Sequence, residues 1–120
     1  MKPNPRACVA FIVGFLISGK KSSSVYDYDQ GKHINISGNL KATNVSIYDH
    51  DQGCHISGSG STGKFSLYHH GDSHHISLQI NGNKFNGYDH GTGSHYSGSV
   101  NGSSISLYDH GESSHFHFSI

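Results

Sequence analysis

Residues Lys64 to Ile80 read KFSLYHHGDSHHISLQI, and their alternation decides the fold. Phe65 and Leu67 fall on one side of an extended chain, with Ser66, Tyr68 and His70 on the other. After the loop, Ile76, Leu78 and Ile80 share a side opposite His75, Ser77 and Gln79. Successive side chains of a strand point to opposite faces, so the stretch is a pair of short strands with one apolar and one polar face. A loop over residues 71–74 predicts a hairpin in which His70 opposes His75, Leu67 opposes Leu78 and Phe65 opposes Ile80. A turn at Asn81 and Gly82, a favoured hairpin dipeptide, then sets Leu78 against Phe85 and His75 against Tyr88. Both connections keep apolar against apolar; a one-residue slip would invert every face.

The unit recurs along the chain. Tyr26, Tyr48, Tyr68, Tyr88 and Tyr108 form one column; two residues on stand Tyr28, His50, His70, His90 and His110, and seven on stand His33, His55, His75, His95 and His115. The last four tyrosines are evenly spaced at 20 residues, and an extra pair near residues 41–43 lengthens the first interval without changing parity. The expected fold is therefore all-β, five tandem two-strand repeats of about 20 residues arranged as an antiparallel meander of hairpins. The alternative is a β-solenoid with two strands per rung. Strands this short are below the roughly 9–11 residues of a membrane barrel strand.

With 120 residues, 32% hydrophobic and 13% charged, the chain has material for one domain with a thin core. Its formal net charge of zero gives no basic stripe for nucleic acid. At the N-terminus, Lys2 and Arg6 precede an apolar run from Ala7 to Ile17, followed by small Ser18 and Gly19. That layout predicts a signal peptide over residues 1–19, a short linker over 20–24 and the repeat domain over 25–120. An uncleaved anchor is the alternative, although the run is short for a bilayer span. No other segment is long enough to cross, so the mature chain is expected to lack a transmembrane span and to be secreted, at the cell surface or periplasmic. Loss of the segment would remove Cys8 and leave Cys54 as a single thiol, which cannot form an internal disulfide.

The polar columns hold the chemistry. Neutral imidazole and thiolate bind borderline metals, so His50, Cys54, His55, His69, His70, His74, His75, His90, His95, His110 and His115 form the candidate ligand set for Zn, Cu or Ni. The third unit, with His69, His70, His74 and His75 and with Asp89 nearby, is the densest. The competing expectation is a solvent-facing ladder in which histidine replaces tyrosine as a flat, hydrogen-bonding surface. Asp49, Asp89 and Asp109 each precede a histidine, but strand neighbours face opposite ways and make no acid–base dyad. No nucleophile elbow or other catalytic spacing stands out, no cofactor is required, and no catalytic residue is assigned. The expectation is a non-enzymatic structural or interaction protein that self-associates through sheet edges, with HFHFSI (115–120) as an apolar edge. Metal binding or sequestration is the alternative, and carbohydrate stacking on the tyrosines a further one.

The unit SLYDH....HF.FSI resembles the tandem YDY or YDH repeats of small exported bacterial proteins, with Tyr28 keeping the tyrosine form, over nearly all of residues 23–120. That resemblance implies export and no particular activity. A looser similarity links the unit to curli subunit repeats, which implies extracellular fibre assembly. The glutamine and asparagine ladders of curli units are replaced here by Asp49, Asp89, Asp109 and the histidines.

Overall fold

A computed structural model describes residues 1–120 as one helix and ten strands. The helix α1 spans Pro3–Ser18 and the strands are β1 Ser24–Asp27, β2 Lys32–Lys41, β3 Asn44–Asp49, β4 Cys54–Ser61 and β5 Lys64–His69. They continue as β6 His74–Asn81, β7 Lys84–Asp89, β8 Ser94–Asn101, β9 Ser104–Asp109 and β10 Ser114–Ser119. Every strand pairs antiparallel with its sequence neighbours, and β10 pairs back onto β1, so the meander closes into a barrel. The meander is thus present, and it curls fully on itself to hide its apolar face. The closing seam is short, with Tyr26 opposite Ser119, Asp27 opposite Phe118, and the Tyr28 N–H donating to the His117 carbonyl at 3.1 Å. The HFHFSI edge is therefore paired, with Phe116 and Phe118 turned into the interior.

Face assignments follow the alternation, but both expected registers are displaced by two residues. His75 lies opposite Tyr68, Leu67 opposite Ile76 and Phe65 opposite Leu78. The loop is 70–73, one residue earlier than expected: the inward His69 ring accepts a hydrogen bond from the Asp72 N–H, and Ser73, at φ 54°, ends the loop ahead of His74. At the other end the turn is Gly82–Asn83, so Ile80 meets Phe85 and Ser77 meets Tyr88. Gly82 has φ 64°, which suits the first central position of a type II′ turn, where glycine carries no Cβ penalty. A displacement of two preserves every face, which is why parity could not detect it.

The interior is filled by α1. Closing ten strands leaves more room than the eight whose side chains alone fill a barrel. Sixteen residues of helix, about 24 Å at 1.5 Å per residue, run through a molecule measuring 30 × 29 × 28 Å. Every residue from Pro5 to Gly14 is buried, and Ala7 to Val13 belong to the same core cluster as Ile36, Ile47, Leu67, Leu78 and Leu107. A helix that is apolar all round needs a surround that is apolar all round, and the barrel wall supplies it. Small residues set the fit: a Cβ on Gly14 would stand 3.0 Å from Ile105 and 3.2 Å from Ile120. Gly19, with φ 72° and its N–H bonded to the Phe15 carbonyl at 2.9 Å, ends the helix. Residues 1–19, expected as a separable leader, thus share one core with the strands.

Candidate functional site: an imidazole and tyrosine belt

Outward positions of the strands carry serine, asparagine, glutamine, tyrosine and histidine, the reverse of the apolar outer band of a membrane barrel. Toward the end of the barrel with the four-residue loops, these positions form a belt. Each column tyrosine stands between two rings: Tyr48 contacts His50 and His55 edge-on with centroids 4.8 and 4.6 Å away, and Tyr68 contacts His70 and His75, both at 4.9 Å. Tyr88 with His90 and His95, and Tyr108 with His110 and His115, repeat the arrangement; Tyr26 does so with Tyr28 and His33. The geometry follows from the register, which sets the residue seven positions on directly across the hairpin and the residue two positions on at the same face. Edge-to-face contact matches positive ring edges to negative ring faces. Serines on adjacent strands hold several rings: Ser37 Oγ lies 2.7 Å from His50 Nε2, Ser57 Oγ 2.9 Å from His70 Nε2 and Ser97 Oγ 3.5 Å from His110 Nε2. The belt imidazoles are exposed, and their tyrosines, apart from Tyr28, are half-buried.

The candidate ligands divide between the two sides of the wall. His50, His55, His70, His75, His90, His95, His110 and His115 point outward, while Cys54, His69 and His74 point inward. The dense third unit is therefore split, since adjacent strand residues face opposite ways. No three His, Cys, Asp or Glu side chains converge as a metal-binding group.

Inside the wall lies a second constellation. The residue after each column tyrosine (Asp27, Asp49, His69, Asp89 and Asp109) is fully enclosed at the loop end. The aspartates cap the loops: Asp49 Oδ1 accepts from the Asp51 and Gln52 N–H groups at 2.9 and 3.2 Å, and Asp27 Oδ1 accepts from Asp29 and Gln30 at 2.9 and 3.1 Å. Four aspartate-type caps on the apolar parity, each just before a loop, were the available signal. His69 does the same with Nδ1, which accepts from the Asp72 N–H at 3.1 Å; the neutral ring then carries its proton on Nε2, 3.6 Å from Cys54 Sγ. Burial holds the His69 pKa below its ordinary value, against the opposing pull of Asp72. His74 stacks on His69 with centroids 5.5 Å apart and has Nε2 2.9 Å from Asp89 Oδ1.

The N-terminal end of α1 meets this ring. Arg6 lies 3.6 Å from Asp109 and 3.4 Å over the centre of the Phe116 ring, and the Met1 ammonium lies 2.6 Å from Asp109. Asn4 donates to Asp49 and Asp51, both at 2.9 Å. Acidic groups at a helix N-terminus also oppose the helix dipole favourably. Cys8 approaches Asp49 at 3.7 Å; burial, then Asp49, raises its thiol pKa well above the usual range, and the same two causes raise that of Cys54. These thiols are protonated and enclosed, the opposite of a reactive cysteine environment.

The interior groups are thus committed to holding loops and helix, whereas the belt is exposed and repeated. Comparison with protein-family models, curated proteins and solved structures gave no match.

Proposed function

We propose that this chain is a non-enzymatic interaction barrel whose working surface is the tyrosine and imidazole belt. The observation that carries the reading is the division of chemistry across the wall: α1 occupies the lumen, and the repeated unlike rings stand outside it. A filled lumen leaves the outer surface for recognition. Flat rings with polar edges and few rotatable bonds suit contact with a second copy of the barrel, since the same belt on two molecules is self-complementary in stacking and hydrogen bonding. Self-association then runs through the belt, because β1 occupies the edge of β10. The closest acid–imidazole pair, His74 and Asp89, is enclosed, which supports a non-enzymatic reading. Sedimentation of the untagged protein over a wide concentration range tests the proposal. Concentration-dependent oligomers that weaken when Tyr68 and Tyr88 are replaced by serine support it, and a strict monomer overturns it.

Metal binding is the second reading, favoured by the number of imidazoles presented on one exposed face. Export is proposed on Lys2, Arg6 and the apolar run, with the protein secreted, at the cell surface or periplasmic. N-terminal sequencing of exported material tests it: a start at Met1 keeps α1 in the working molecule, and a start at Gly19 or Lys20 leaves a lumen that needs another occupant.

A further inference from the structure

The register places histidines in pairs that alternation alone had not matched. Continuing the β4–β5 pairing by one position beyond Ile56↔His69 sets His55 opposite His70, and the His70 N–H donates to the His55 carbonyl at 2.9 Å. The β6–β7 boundary does the same for His75 and His90, and the β8–β9 boundary for His95 and His110, each with the corresponding hydrogen bond at 3.0 Å. The equivalent position between β2 and β3 sets His50 opposite Asn35, with its N–H bonded to the Asn35 carbonyl at 2.9 Å. His33 and His115 lie opposite tyrosines, Tyr26 and Tyr108. Of the belt imidazoles, six therefore fall into three directly opposed, exposed pairs.

We propose that the pairs His55/His70, His75/His90 and His95/His110 are three equivalent bis-imidazole sites for a borderline divalent transition-metal ion, taken most tightly as Cu2+. This deepens, and rests on, the metal-binding reading above. Directly opposed residues of an antiparallel pair have Cβ atoms about 4.5–5.5 Å apart, close enough for two imidazoles to share an ion at about 2.0–2.1 Å from each nitrogen. The His55 and His70 ring centroids stand 6.5 Å apart with the rings nearly perpendicular; chelation requires both exposed side chains to turn and His70 Nε2 to leave Ser57 Oγ. The rings are partly organised, each lying against its column tyrosine. No third protein ligand converges at any pair, so each ion keeps positions open to water or to an outside ligand. Copper leads the divalent series for nitrogen ligands, with nickel and zinc behind it. The two-residue clip, unlike a closed structural site, gives up its ion readily, which fits capture and exchange at a surface.

The pairing makes an arithmetic prediction that a generic histidine-rich surface does not. Titration of the untagged full-length protein with Cu2+ alone, and separately with Zn2+ alone, gives three chelating sites per chain. His55→Asn, His70→Asn and the double variant each leave two, because all three remove the same site. His55→Asn with His90→Asn leaves one. His50→Asn changes nothing, and Asn35→His adds a fourth site by completing the pair with His50. A lone imidazole left by a single substitution binds on the order of 10²-fold more weakly than the pair, since the second ligand adds at high effective concentration. These positions are exposed, and matching thermal melts verify that the variants fold. Retained binding in which the double variant loses two sites, or Asn35→His adds none, overturns the pairing while leaving the metal reading standing. Binding of both ions no tighter than to a lone imidazole overturns both.

Discussion

Burial turns one histidine into a pH-sensitive part of the wall. His69 occupies the column filled by aspartate in the other four units, and its depressed pKa, caused first by desolvation, means that the unfolded chain takes a proton more readily than the folded one. Its contribution is complete above the unfolded value of about 6.5 and is lost as pH falls toward the lower folded value. Replacing His69 with asparagine keeps an acceptor for the Asp72 N–H and removes the titration. Thermal melts at about pH 7.5 and about pH 5 should therefore show a smaller drop in Tm for His69→Asn than for the parent; an equal drop would place the acid sensitivity elsewhere. The sequence showed that Asp49 and His50 face opposite ways, and the structure agrees. The same parity separates inward His69 and His74 from outward His70 and His75. A cluster along the sequence of a strand is two half-clusters in space.

Loops and strand kinks set how the hairpins close. The last residue of each four-residue loop is left-handed: Gly31, Gly53 and Gly93 have φ 65°, 74° and 69°, while Ser73 and Ser113 sit at 54° and 52°. A side chain there costs about 1–2 kcal/mol, of which glycine's greater unfolded-state freedom returns about 0.5–1. Ser113→Gly should stabilise the barrel by about 0.5–1 kcal/mol, raising Tm by roughly 2–4 °C in a thermal melt. Gly98 is the opposite case: an added Cβ would fall on the Ser106 carbonyl oxygen and stand 2.6 Å from Phe85, so the neighbouring strand blocks it. Gly98→Ala should cost about 3 kcal/mol or more in urea unfolding, and a near-neutral result would show that the strands can move apart there. Strand identity and facing were legible because alternation reports them directly. Register was not, since the loop cap at His69 and the II′ turn at Gly82 each go with a pairing displaced by two, a change invisible to parity. The opposed pair His55/His70 depends on register, so it too lay beyond the sequence.

For the whole molecule, the decisive fact is that core and leader-like segment coincide. An apolar helix with a basic N-terminal flank and small residues beyond it meets the requirements of an export signal, and also those of a rod inside a closed sheet. Sequence pattern cannot separate the two, because both select for apolarity on every side. Barrel closure was equally hidden: only the pairing of β1 with β10 makes a lumen for α1 to fill. Without α1 the inward faces of ten strands would surround a void, and losing side chains worth about 1.5–3 kcal/mol each exceeds the net stability of a small domain. Residues 20–120 alone should give no cooperative thermal melt as a monomer unless an occupant is supplied, and a cooperative melt at the parent Tm would show that the strands need no filling. The most direct measurement is the reactivity of Cys8, which lies on α1 and is fully enclosed by the barrel. In a Cys54→Ser chain, Cys8 is the sole thiol and reports only on the lumen. Cys8 should react with a thiol reagent no faster than the barrel globally unfolds, the rate rising with urea in step with the unfolding rate; rapid labelling under native conditions, while the strand amides stay protected from hydrogen exchange, would show that the helix does not fill the lumen.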